Sequence, residues 1–225
     1  MTNLQSPISN DQSLMTKSLN THILLEPQYA GSLSYWKLIA NAQHILFEQY
    51  ENYTKRSFRN RCHILSPNGL LRLSIPLEHG KNQHCALKDV RISYNENWQK
   101  LHWQSLQSCY RRSPFFEFYE DKLIRFYEEK FLFLLDYNLQ LFELLSTLIK
   151  IKPEYTLTTA YEKHAADAYS DLRNVLLPDK NRSDFSIDLK PYLQVFADRM
   201  NFQSEVAVYD LLFNCGNESV NYLNE

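Results

Sequence analysis

Glycine is scarce in this 225-residue chain, at 4 positions. Loops that cradle phosphates with bare backbone need several glycines at fixed spacing. Neither GxGxxG nor GxxxxGK[ST] occurs, so neither a dinucleotide fingerprint nor a P-loop is supported. Cysteine is equally scarce: Cys62, Cys85, Cys109 and Cys215 form no CxxC pair and fit no zinc module. So few thiols predict reduced cysteines and a cytoplasmic location. The histidines show no HxxxH or HxH spacing, so no metal is expected, and nothing points to a cofactor. Long apolar runs are missing as well. The most apolar stretch, Phe131 to Leu135, is far too short to span a bilayer. The N-terminus lacks a basic start followed by an apolar run, which argues against a secretory signal. Nor is there an excess of either charge. The net charge is -2 and the pI about 6.4, which argues against wholesale binding to nucleic acid or to an acidic membrane surface and leaves room for a local basic patch. With the short apolar runs, neither a nucleic-acid partner nor membrane insertion is expected.

What is present suits a packed core: 44% hydrophobic residues and 14% aromatic, with 15 Tyr and 13 Phe. Residues 1–20 are polar and aperiodic and read as a disordered lead-in. Residues 21–225 read as a single domain of α/β class, with a mixed sheet in the N-terminal half and a helical C-terminal half. "THILL" and "HILFEQ" are strand-like, and "LSYWKLIANA" between them has helical spacing. That order suggests a βαβ start with parallel pairing. "RCHILS" and "LLRLSIPL" flank Pro67-Asn68-Gly69, a strong hairpin signal. "LKDVRISY" reads as a further strand. A helix is predicted from about Trp98 to Tyr110. "FFEFYEDKLIRFYEEKFLFLL" and "NLQLFELLSTLIKI" read as two more, with Asp136 or Asn138 as cap of the second. "YTLTTAYE" is a strand candidate. "SEVAVYDLLFNCG" reads as a helix with Ser204 as N-cap and Gly216 past its end. No internal repeat stands out.

Positive charge is concentrated in "NYTKRSFRNRCHI", residues 52–64. In extended geometry Arg59, Arg61 and His63 share one face, and Asn60, Cys62 and Ile64 share the other. The first face would be a ridge that matches phosphate or carboxylate oxygens. The alternative is that these arginines pair with the chain's own carboxylates, such as Glu48 or Glu51. Just upstream, Glu51, Tyr53 and Lys55 alternate. If extended, they would bring together a carboxylate, a phenol and an ammonium, an acid–base repertoire. A solvated Glu–Lys pair is the plainer reading. His102, in "WQKLHW", is either a general base or a histidine at the core boundary. Cys62 lies beside Arg61, but the alternation turns it inward. Cys215 sits at a helix C-terminus, where the dipole opposes a thiolate. Asp210 lies on an otherwise apolar helix face and needs a partner. A ridge arginine is one candidate, and solvent the other.

Three segments together resemble the WbqC-like protein family of bacteria. They are "ENYTKRSFRNRCHILSPNGLLRLSIPL", "DVRISYNENWQKLHWQSLQSCYRRSPFFEFYEDKL" and "YLQVFADRMNFQSEVAVYDLLFNCGNES". They occur in the family's order and cover about residues 22–218. The resemblance implies an association with surface polysaccharides such as O-antigen and capsule. It makes residues 51–63 the segment of most functional interest. The chain departs from the family pattern at "LLEPQYAGSLSYW", at Arg56, and in "DLRNVLLPDKNRSDFSIDL", where longer members are Gly-rich.

Two functional readings follow. In the first, the chain is an enzyme of surface-glycan precursor biosynthesis, with a transferase acting on activated sugars as its most concrete form. Lys55, Arg59, Asn60, Arg61, His63 and Asp210 would hold an anionic or nucleotide-sugar ligand, with Glu51, Tyr53 and His102 moving protons. In the second, the same segment grips an anionic ligand or partner without catalysis.

Overall fold

The computed structural model describes residues 21–78, 85–178 and 187–225. The polar lead-in, His79, His84 and "DKNRSD" lie outside the described residues. The fold is mixed α/β, as the sequence predicts.

Its centre is a four-stranded parallel sheet. Strand β1 (His22–Leu25) leads through helix α1 (Leu33–Ala40) to β2 (His44–Phe47), and the two pair in parallel with His22 opposite His44 and Leu25 opposite Phe47. The register is legible in the residues themselves. "HILLE" and "HILFE" align position for position, a short local repeat that inspection for longer periods passes over. Strand β5 (Tyr155–Leu157) adds beside β2, and a two-residue strand β6 (Ser170–Asp171) adds beside β1, giving the order β5-β2-β1-β6. The chain therefore builds outward from β1 in one direction and then returns to its other side. Such a reversal is where open parallel sheets place ligands, outside the carboxyl ends of the strands.

The pleat divides the strand residues between two faces. Ile23, Leu25, Ile45 and Phe47 are buried on one. There Phe47 packs edge-on against Phe142, which stacks on Trp36 of α1. Phe142 belongs to α4 (Leu134–Ile149), whose Leu141, Leu145, Leu148 and Ile149 continue the apolar stripe. The other face carries His22, Leu24, His44 and Leu46, with Glu26 and Glu48 just beyond the strand ends. Among the described residues, the irregular segment after β5 lies over Leu24 and Leu46.

Entry into α1 is tight. Ala30 and Gly31 both have positive φ. A Cβ on Gly31 would lie 2.5 Å from the Tyr35 ring, so only glycine fits. Ser32 then caps α1, its Oγ accepting from the Tyr35 N–H at 3.3 Å.

Strands β3 (Arg61–Ser66) and β4 (Gly69–Ser74) form the expected hairpin, with Gly69 at φ 106° in the turn. Cys62, Ile64, Leu73 and Ile75 are buried, while the tip, with Leu70 and Leu71, projects into solvent.

Helix α2 (Trp98–Tyr110) has the predicted bounds. Several other expectations need correction. "LKDVRISY" is not a strand: Leu87–Asp89 is a 3₁₀ turn, and Arg91 and Ile92 make only isolated bridges. "FFEFYEDKLIRFYEEKFLFLL" breaks into α3 (Phe116–Leu123) and a 3₁₀ turn at Ile124–Tyr127. Phe133, not Asp136 or Asn138, precedes α4, and Asn138 lies buried within it. Helix α5 (Val208–Cys215) starts after Ala207 rather than Ser204. A short α6 (Ser219–Asn224) follows Gly216. At the starts of α4 and α5 tertiary pairing overrides the local signal: the Leu134 N–H goes to the Val90 carbonyl at 2.9 Å. The Ala207 N–H is taken by the His63 carbonyl at 2.7 Å, which fixes where α5 begins.

Candidate functional site

Two polar regions adjoin the basic segment, and the structure separates them. The first is a buried ion network at the carboxyl end of the parallel sheet. The parallel register of β1 and β2 puts Glu26 and Glu48 one residue past each strand, both buried. Arg59 enters from the loop before β3 and is wholly buried. Its Nη2 donates to Glu51 Oε2 at 2.5 Å and lies 3.8 Å from Glu26 Oε2, while Nη1 donates to Asn174 Oδ1 at 2.9 Å. Asn174 closes the circuit, donating its backbone N–H to Glu26 and its Nδ2 to Glu51.

Glu48 is held in the same way. Oε1 accepts from the backbone N–H groups of Tyr50 and Glu51 and from Thr158 Oγ1. Oε2 accepts from Arg173 at 3.1 Å. Arg173 also reaches Asp171 at 2.6 Å. Burial alone would raise the Asp171 carboxyl, but Arg173's guanidinium and N–H hold it below the usual range. The same pairing raises the basicity of Arg173.

This settles the position of Arg59. It does not share a ridge with Arg61 and His63, because strand geometry begins only at Arg61. The geometry matches the alternative of pairing with the chain's own carboxylates, Glu51 among them. The face that Glu51, Tyr53 and Lys55 would share is also absent, since residues 51–60 run through turns, with Arg56 at positive φ. Glu51 goes to Arg59. Tyr53 donates to Asn60 Oδ1 at 2.7 Å, and burial raises its phenol against the pull of Arg61 and Arg59. Lys55 is exposed. Asn60 donates Nδ2 to the Ile75 carbonyl, bracing the loop on the hairpin.

The second region is the outward face of the hairpin. Arg61 and His63 alternate on β3, and the antiparallel register sets His63 opposite Arg72 and Arg61 opposite Ser74. Arg56, from the preceding turn, is close enough to weigh on Arg61. Burial lowers the basicity of Arg61, and Arg72 and Arg56 lower it further. His63 is likewise lowered by burial and then by Arg61 and Arg72. Among the described residues no ion pair involves Arg56, Arg61, His63 or Arg72. Arg61 Nε is buried with no hydrogen-bond partner. Three guanidiniums and an imidazole thus share one surface with no ion-pair partner among the described residues, in a chain of net negative charge.

His102 and Asp210 belong to neither region. His102 Nδ1 lies 3.0 Å from the Tyr29 hydroxyl, which continues through Tyr127 to Tyr209 in a buried chain of phenols. Burial lowers its pKa to about 4, only partly countered by the Ser74 backbone. His102 is therefore a neutral interior group. Its folded pKa lies below the unfolded value, so its contribution to stability is present above about pH 6.5 and is lost as pH falls towards 4. Wild-type protein should lose about 3 kcal/mol more than His102→Gln across that window in urea unfolding; parallel pH profiles would contradict this.

Asp210 finds its partners in Tyr192 at 2.5 Å and Gln194 Nε2 at 2.9 Å, not in an arginine. Burial raises its carboxyl despite those bonds. Burial also pushes up the Cys62 thiol, and raises Cys215 to about 11. Neither is an activated nucleophile. Among the described residues no group of three or more His, Cys, Asp or Glu is placed to hold a metal, and no helix is long and apolar enough to cross a membrane.

Sequence reasoning missed Glu26, Arg173 and Asn174. The two Glu-terminated pentapeptides were a usable signal for Glu26. Nothing local marks Arg173 or Asn174, which reach the site through a two-residue strand.

An uncharacterized protein of Mycobacterium tuberculosis is 24% identical over 227 residues, covering 89% of this chain and 96% of its own length. No solved structure matches. The profile of the WbqC-like protein family matches residues 26–177, more than half of the chain, spanning the ion network, the hairpin and every strand of the parallel sheet except β1. The chain belongs to the WbqC-like protein family.

Proposed function

We propose that this protein holds a nucleotide-activated sugar or a related anionic intermediate on the hairpin face, in the biosynthesis of surface-polysaccharide precursors such as those of O-antigen or capsule. The observation that carries the reading is the unpaired cluster of Arg56, Arg61, His63 and Arg72. Like charges brought together and partly desolvated raise one another's energy. A pyrophosphate or carboxylate relieves that cost and meets guanidinium forks with two parallel hydrogen bonds each. Arg59 has a different part: it anchors the loop that leads into β3 and so positions Arg61. Group transfer onto the activated sugar is the reaction class that fits such a ligand.

One observation favours a second reading, a non-catalytic binding or assembly protein. Each acid–base candidate is engaged internally: Glu51 by Arg59 and Asn174, Tyr53 by Asn60, His102 by Tyr29.

Thermal-shift screening against a panel of nucleotide sugars tests the shared part of both readings. Ligand at one hundred times its Kd stabilises by about 2.7 kcal/mol, which for a chain this size raises the melting temperature by roughly 5–10 °C. No shift with any member at millimolar concentration would count against an anion site. Chromatography of the ligand after overnight incubation then separates enzyme from binder.

A further inference from the structure

The open face of the parallel sheet carries a pocket that the hairpin reading leaves unused. Its volume is about 330 Å³, enough for a small molecule. Leu24 and Leu46, opposite each other in register, form its floor. Glu48 and Thr158 stand at the carboxyl end of the strands and Tyr169 at the other. The segment after β5 closes it from above, contributing Thr159 and Glu162. The pocket thus lies on the face of the sheet, over β5, β2 and β1, and reaches the carboxyl ends of the strands only at Glu48 and Thr158.

The lining has a definite chemistry. It includes two carboxylates, two threonine hydroxyls and a phenol, but no lysine or arginine. Such a surface accepts hydrogen bonds and repels anions. Glu48 Oε1 already accepts three hydrogen bonds, so its remaining capacity lies on Oε2, beside Arg173. Glu162 is exposed, with its carboxylate available to a cation. The apolar floor suits the C–H face of a compact ring.

We propose that this pocket binds an unphosphorylated amino sugar, with its ring on Leu24 and Leu46, its hydroxyls on the threonines and its ammonium at Glu162. This site is separate from the hairpin face and does not depend on it. The phosphate-bearing ligand has its cations at Arg61 and Arg72, whereas this one would find none in its lining.

Saturation-transfer NMR at millimolar ligand, with the full chain, tests the proposal. The probes are glucosamine, galactosamine and mannosamine, with glucose for the ring alone and cyclohexylamine for the amine alone. At least one amino sugar should give saturable transfer and bind more tightly than glucose or cyclohexylamine. Thr159→Trp, which fills the pocket from an exposed position, should abolish transfer while leaving the melting temperature unchanged. Glu162→Gln should weaken the amino sugar about tenfold and bring it level with glucose. Arg61→Ala should leave all of this intact. The proposal fails if no amino sugar binds, if cyclohexylamine binds as well as the best of them, or if binding survives in folded Thr159→Trp protein. Loss of nucleotide-sugar binding in Arg61→Ala alone bears on the hairpin, not on this pocket.

Discussion

Arg59→Ala lowers the melting temperature by roughly 10 °C or prevents folding altogether. Removing this guanidinium leaves Glu26 and Glu51 in the interior without their cation, and an uncompensated buried charge costs about 3–5 kcal/mol. Two further consequences follow. Asn174 loses the guanidinium that its Oδ1 accepts from, and it is the residue that ties the β6 side of the sheet to the basic loop. The loop before β3 then loses its anchor, although the Arg59 carbonyl still accepts from Asn138 at 2.8 Å. Arg59→Lys should recover only part of the loss, because an ammonium cannot reproduce the fork that meets Glu51 and Asn174 together. Thermal and urea unfolding check this. Unchanged stability in Arg59→Ala would mean that the network does not hold the fold. Loss of function in this variant is therefore not evidence of ligand contact, which makes Arg59 a poor test of the site.

The double variant Arg61→Ala/Arg72→Ala behaves in the opposite way. Neither residue has an ion-pair partner among the described residues, so stability should change by less than about 1 kcal/mol. Removing two like charges from one surface is even expected to relieve repulsion. Function, however, should collapse. A hydrogen bond to a charged group is worth about 1.5–3 kcal/mol, so losing two such contacts costs roughly 10²- to 10⁴-fold in affinity for the anion. In a deletion strain complemented with the double variant, surface-glycan output should fall to the level of the empty vector while soluble protein stays at wild-type abundance. Wild-type output from the folded double variant would contradict the assignment of the hairpin face.

The contrast between Arg59 and Arg61 also marks how far the sequence could be read. The βαβ start, the hairpin with its Asn-Gly turn, α2 and the inward turn of Cys62 all follow from local periodicity, which acts over a few residues. The concentration of charge in residues 55–63 was equally visible. Its division was not. Two arginines a single residue apart have opposite fates because β3 begins at Arg61, and that boundary is set by pairing with β4 and by the carbonyl of Arg59 reaching Asn138. Arg72 stands alone as a surface residue until the hairpin register places it against His63. Asn174 and Arg173 join the site through a strand two residues long, which no pattern can announce. Asp210 shows the reverse case. The need for a partner was legible, but its identity, Tyr192 and Gln194, depends on a chain reversal some 16 residues away.

The most direct test of the central claim is a titration of ¹⁵N-labelled protein with inorganic pyrophosphate, followed by amide chemical shifts. The anion-site account predicts saturable shifts confined to residues 56–63 and to β4 around Arg72, absent in the folded Arg61→Ala/Arg72→Ala variant. Saturable shifts located elsewhere, or none at millimolar pyrophosphate, would contradict it.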